Sequence, residues 1–163
     1  MESARRATPE DLDVLACLAE RAVAEQADER GGAVWAQRET RPLPARSSLQ
    51  AALDDPLQLV VAGTIDDVVV GYGAARLERL RNDELLGVVT DLFVEPEARG
   101  VGVGEELIAL ILDWCSHRGC VGVDALALPG NRETKNFFET FGFTARALIV
   151  HRRLDSVTTE GRP

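Results

Sequence analysis

The chain has 163 residues, 45% of them hydrophobic, enough for one domain with a buried core. Its formal charge of −9 works against nonspecific nucleic-acid binding, which draws its affinity from neutralising phosphates. There is no run of 18 apolar residues, the N-terminal MESARRATPEDLD carries charge where a secretory signal needs an apolar block, and the cysteines number three; a membrane span, an export leader and a disulfide framework are disfavoured.

The expectation is a cytoplasmic protein with neither nucleic acid nor membrane as a partner. No metal is expected either: Cys115 and Cys120 lack a second pair, and the histidines are His117 and His151. Residues 4–7 suit a short first strand. Thr8-Pro9-Glu10-Asp11 then supplies an N-cap, a proline at the first helical position and acids in the first turn. The helix that follows runs to about Gln26, with Leu12, Leu15, Leu18, Ala19 and Ala22 on one face. Residues 27–46, holding Gly31-Gly32 and Pro42-Leu43-Pro44, read as a long loop or a broken helix, and long loops in compact domains are often functional. A short helix is predicted from Ser47 or Ser48 to about Leu53.

The runs QLVVAGTI (58–65) and VVVGYGAARLERL (68–80) read as strands joined by a tight hairpin at Asp66-Asp67. LLGVVTDLFV (85–94) adds a third strand to this antiparallel meander. A glycine-rich turn, a helix over 104–117, a strand over 121–128, a helix over 132–141 and a strand over 143–151 follow. Such alternation requires parallel crossovers, giving β-α-β-α-β. One domain over 1–154 and a flexible tail over 155–163 are expected.

The turn Arg99-Gly100-Val101-Gly102-Val103-Gly104 sits between a strand and a helix. The first N–H groups of a helix lack internal partners and the helix dipole favours negative charge, so such a turn is an anion site whose donors are amides. A Walker A loop would end Gly-Lys-Ser/Thr, whereas this turn ends Gly104-Glu105-Glu106. The dinucleotide pattern G-x-G-x-x-G would need glycine at Glu105 or Leu107, so it fails too. The acyl-CoA pyrophosphate pattern Arg/Gln-x-x-Gly-x-Gly/Ala is met by Arg99, Gly102 and Gly104.

The run DLFVEPEARGVGVG (91–104) resembles the acetyl-CoA motif of the GNAT superfamily of N-acetyltransferases, and NRETKNFFETFGF (131–143) resembles that family's Asn, helix, aromatic-pair, Gly-Phe signature. The resemblance implies an α/β fold of α+β type with a mixed sheet of six or seven strands, splayed between strands 4 and 5. It implies acetyl-CoA as co-substrate, its pantetheine arm on main chain at Leu92, Phe93 and Val94 and its pyrophosphate on the amides from Arg99 through Gly100, Val101, Gly102 and Val103 to Gly104, with Glu105 just inside the helix. Asn131 would contact the arm, or serve as an ordinary N-cap, or both. Phe138 stands where the family usually has a tyrosine able to protonate the leaving thiolate; phenylalanine keeps the aromatic wall and loses the proton.

Acetyl transfer needs a neutral amine, so a proton must be removed. Asp91, an acid in an otherwise apolar strand, is the first candidate, and a buried acid paired with an arginine or with backbone donors is an equal reading of it. Related diamine acetyltransferases carry an acid just before this aspartate; here Thr90 stands there, leaving Asp91, Thr90 or a water. The acceptor, a small-molecule or peptide amine, would meet Trp35, in the 27–46 segment, and Tyr72. Homodimers are common in the family the motifs resemble, so a homodimer is a further expectation. An acyl-CoA-binding domain with weak or no transferase activity is the alternative reading, suggested by Phe138 and Thr90.

Overall fold

The computed structural model describes residues 1–155. Its single sheet is β1 (Glu2–Arg6), β2 (Gln58–Ile65), β3 (Val68–Arg79), β4 (Leu85–Val94) and β5 (Cys120–Asp124), in that spatial order. β1 to β4 pair antiparallel, and β5 pairs parallel to β4. The helices are α1 (Leu12–Gln26), α2 (Gly32–Arg38), α3 (Ala45–Asp54), α4 (Val103–His117) and α5 (Arg132–Thr140). The expected meander stands with the bounds of β2 and β4 as read from the sequence. At the hairpin between β2 and β3, Asp66 (φ 47°) and Asp67 (φ 67°) are both left-handed, the conformation of a two-residue turn that follows strand twist.

Side chains alternate across the sheet, so each strand serves two cores. On one face Leu12, Leu15, Leu18 and Leu49 of α1 and α3 pack on Val60, Ala62, Tyr72 and Phe93. On the other, Leu107, Ile108, Ile111 and Trp114 of α4 pack on Leu59, Val61, Ala75 and Val89. His117, at the exposed end of α4, has its Nδ1 2.8 Å from the Asp113 carbonyl.

Residues 27–46 are the broken helix. A Cβ on Gly32 would lie 2.1 Å from the Gln26 carbonyl oxygen, so only glycine lets the chain turn back against the end of α1 and begin α2. Two expectations fail. The strand predicted over 121–128 stops at Asp124, where its pairing with β4 stops. The strand predicted over 143–151 does not form: those residues lie outside regular structure, with Leu148, Ile149 and Val150 exposed. Five strands therefore replace the expected six or seven. Apolar β-branched sequence makes a strand only where a ladder partner exists, and within the described chain that segment has an ion pair from Arg146 to Asp124 instead. The tail expected over 155–163 falls, from 156 on, outside the described residues.

Candidate active site

The parallel ladder between β4 and β5 runs from Leu85↔Cys120 to Val88↔Asp124 and ends. Beyond it, Val89–Val94 remain paired to β3 alone, which is the splay expected between strands 4 and 5. The amide of Glu95 donates to the Val70 carbonyl at 2.8 Å, in the same register as Phe93↔Tyr72. Backbone groups alternate in direction along an antiparallel strand. Those of Phe93 therefore serve β3, while those of Leu92 and Val94 face the open edge. Of the three residues expected to meet the pantetheine arm, Phe93 contributes its buried ring and no free peptide group.

Next to this edge lies the glycine turn. Gly100 (φ 81°) and Gly102 (φ 105°) are left-handed, and Gly102 is the N-cap of α4. The first helical bond runs from the Glu106 amide to the Gly102 carbonyl, 3.1 Å. The N–H groups of Val103, Gly104 and Glu105 thus start the helix without partners inside it. The three glycines have different reasons: Gly100 and Gly102 supply backbone angles that side chains resist, whereas a Cβ on Gly104 would touch the Phe137 ring at 3.3 Å. The turn also leaves Val101 half exposed and tucks Val103 into the core beside α4.

The Arg99 side chain reaches to α1 and to the end of β4. Its guanidinium makes two hydrogen bonds to Glu25 of α1 (2.7 and 2.8 Å), donates through Nε to the Val94 carbonyl (2.8 Å) and lies 5.3 Å from the Phe93 ring centroid. Those bonds to Glu25 raise its pKa, against the opposing effect of its partial burial. Arg99 therefore bolts the turn to α1 and to the end of β4, with Nε, Nη1 and Nη2 all engaged there.

At the other end of the open edge sits a buried polar cluster. Asp91 accepts from Arg41 Nε (3.0 Å) and Nη2 (2.7 Å) and from the Tyr72 hydroxyl (2.8 Å), while Arg41 Nη1 reaches Ser48 Oγ at 3.1 Å. The Arg41 and Asp91 side chains are 8% and 7% exposed. Burial works against the Arg41 cation, but the charge and hydrogen bonds of Asp91 outweigh it, and its pKa is raised. Burial, then the Asp91 charge, pushes the Tyr72 hydroxyl well above the ordinary phenol value. Asp91 is thus the arginine-paired acid of its second reading, and Tyr72 is a core residue whose hydroxyl serves that acid.

Thr90 sits where the β3–β4 register slips, since Ala74 pairs with Asp91 and Ala75 with Val89. It is the extra residue of a bulge, exposed, with no partner opposite; bulges commonly re-aim side chains next to active sites. Thr90 and Asp91 floor a cleft of about 540 Å³ whose other walls include Glu39, Thr40, Arg41 and Ser47. Trp35 is half buried on α2 and does not line this cleft, and neither does Tyr72.

On the β5 side, Asn131 caps α5, its Oδ1 accepting from the Thr134 amide at 3.0 Å, and its Nδ2 donates to Gln26 Oε1 at 3.2 Å. The N-cap reading holds, with a tie to α1 that the sequence did not disclose. Phe138 is 6% exposed in the α4-side core, its ring 5.1 Å from Phe143. Arg41, Ser48, Glu25 and Gln26 were missed by sequence reasoning. The one available signal was that an acid in an apolar strand needs a cation, and it carried no address. Among the described residues no three His, Cys, Asp or Glu side chains converge as a metal site, and no helix is long and apolar enough to cross a membrane.

An amide-lined helix start beside a strand edge opened within a sheet defines the class: a transferase fold built to hold an extended, phosphate-bearing acyl donor. The Acetyltransferase (GNAT) family model matches residues 20–143, and the chain belongs to that family, which uses acetyl-CoA. The chain is 25% identical over 104 residues, 63% of its length and 68% of the relative's, to glucosamine 6-phosphate N-acetyltransferase of Arabidopsis thaliana. A tetramutant of the BH1408 protein from Bacillus halodurans superposes with a TM-score of 0.78 at 21% identity, over 93% of this chain and 99% of that one. AAC(6')-Iy in complex with a CoA-containing bisubstrate analogue superposes at 0.69 with 18% identity, over 95% and 99%.

Proposed function

We propose that the protein is an N-acetyltransferase that passes the acetyl group of acetyl-CoA to a primary amine of a small molecule, amino acid or peptide by direct attack. The observation that carries the reading is the end of the β4–β5 ladder at Val88↔Asp124, beside the free amides that begin α4. The residues suit the donor: Val103, Gly104 and Glu105 offer N–H groups to a pyrophosphate, and Leu92 and Val94 offer a strand edge to an extended amide-bearing arm. The Val94 carbonyl is already taken by Arg99, so Leu92 and the Val94 amide are the groups left to the arm. Bound acetyl-CoA supplies a thioester whose C–S bond breaks as the N–C bond to the amine forms.

An outward amide of β4 polarises the reacting carbonyl, since such a donor is fixed before the charge develops. Asp91 already accepts three hydrogen bonds, so it positions Arg41 and the cleft floor and is poorly placed to take a proton. The amine's proton leaves to solvent past Thr90, which stands on the bulge and lines the cleft. The leaving thiolate is protonated by solvent, because Phe138 has no hydroxyl to give. Asn131 holds the start of α5 against α1, beside the slot.

The test is release of free thiol from acetyl-CoA over a panel of amines, with thermal stabilisation by CoA measured in parallel. Gly102→Glu, which sets a carboxylate at the anion site, should abolish that stabilisation. Absence of both release and stabilisation would overturn the reading. The occupied Asp91 and Phe138 favour a second reading, a CoA-binding domain without turnover; stabilisation by CoA with no thiol released on any amine is its signature.

A further inference from the structure

The cleft over Thr90 and Asp91 has a charge balance of its own. Its charged lining residues are Glu39, Arg41 and Asp91, two carboxylates against one guanidinium. The charge of Arg41 is paired with buried Asp91, and each of its nitrogens makes a hydrogen bond, Nε and Nη2 to Asp91 and Nη1 to Ser48. Neither flanking arginine lines the cleft: Arg38 lies 3.4 Å from Glu39 on the exposed side, and Arg46 pairs with Asp13 at 2.7 Å. Among the described residues the cleft wall therefore offers an anionic substrate no unspent cation. It offers Glu39, whose only ion pair is with a mostly exposed Arg38 and is correspondingly weak, together with the hydroxyls of Thr40, Ser47 and Thr90.

Resting on the transferase reading above, we infer that this cleft is the acceptor site, and that it selects amines whose other polar groups are hydroxyls or further ammonium groups. Glu39 takes one cationic or hydroxyl group of the acceptor. A phosphate or carboxylate near the reacting amine is rejected, because it would lose its water and gain no donor of opposite charge. The inference sets this chain apart from its Arabidopsis relative, whose name specifies a phosphorylated amino sugar. The cleft opens on the α1 and α3 face of the sheet while α4 covers the other. Donor and acceptor therefore approach the open edge from different sides.

Two matched pairs test it: glucosamine against glucosamine 6-phosphate, and agmatine against arginine. The uncharged-substituent member of each pair should have a kcat/KM at least about tenfold higher, and Glu39→Gln should raise its KM about tenfold while leaving the KM for acetyl-CoA alone, a loss in the range of one hydrogen bond to a charged group. The same substitution should narrow the ratio within each pair, which a purely structural effect would not do. Equal or better turnover of the phosphate- or carboxylate-bearing members overturns the inference. If no amine is turned over, calorimetry with the CoA complex decides: preferential binding of glucosamine and agmatine, lost in Glu39→Gln, sustains the site and removes only the transferase reading, whereas no preference overturns the site itself.

Discussion

Asp91→Asn separates an anchoring acid from a catalytic base. Arg41 and Asp91 are nearly buried and joined by two hydrogen bonds, with a third from Tyr72. Removing the charge of one partner leaves the guanidinium buried without a counter-ion, a change that costs about 3–5 kcal/mol. Asparagine keeps one acceptor oxygen, which places the loss near the lower end, about 3 kcal/mol. For a domain of this size each kcal/mol moves Tm by about 2–4 °C, so a drop of about 6–12 °C is expected. Urea unfolding followed by circular dichroism measures it, with the slope m unchanged. Tyr72→Phe should cost only about 1 kcal/mol, and pairing Arg41→Met with Asp91→Leu should recover much of the single-variant loss, because an apolar pair of similar volume replaces an ion pair at little cost. A variant Asp91→Asn that melts within about 2 °C of the parent yet loses more than about a hundredfold in kcat, the range for removing a general base, would refute the anchoring role and make Asp91 the base.

Further outcomes are expected elsewhere. Gly102→Ala, at φ 105° and with its new Cβ 3.3 Å from the Glu2 side chain, should cost about 1–3 kcal/mol and raise the KM for acetyl-CoA more than that for the amine; melting curves and initial rates report the two. Arg5 holds the Asp11 carboxyl below its ordinary range, with further hydrogen bonds from Thr8. Because the folded value lies below the unfolded one, this stabilisation is complete above the unfolded carboxylate value and is lost as pH falls from about 4 through the folded value. Arg5→Met should flatten that acid limb in urea titrations taken between about pH 5 and 2. Burial pushes the Cys115 thiol up to about 12, so a thiol reagent at about pH 8 should label exposed Cys17 quickly and Cys115 only after unfolding; rapid labelling of Cys115 by mass spectrometry would contradict its burial.

Much of the donor side was legible because it depends on local backbone chemistry. Two glycines that must be left-handed, a helix start and a strand of known length all leave marks within a dozen residues. The third has a further reason that was not legible: Gly104 makes room for Phe137, 33 positions along the chain, and nothing local signals that contact. The acceptor side was mostly illegible for the same cause. Asp91 asked for a cation, yet Arg41 is 50 residues away on the broken helix segment and looked like any other arginine in a charged loop. Tyr72, expected near the acceptor, turned inward to serve the acid. The missing last strand is the converse case: residues 143–151 have strand composition, but a strand is a relation between two chains of peptide groups, and composition describes only one of them.

The opened edge of β4 also has a cost that falls on the empty protein. The peptide groups of Leu92 and the amide of Val94 point into the gap between β4 and the edge strand β5, where an extended segment of matching register could pair with them. A donor lying along that edge closes it, so the concentration of acetyl-CoA would govern resistance to aggregation and proteolysis as well as turnover. On the transferase reading, the gap that admits a substrate would make the solubility of the protein a function of its supply.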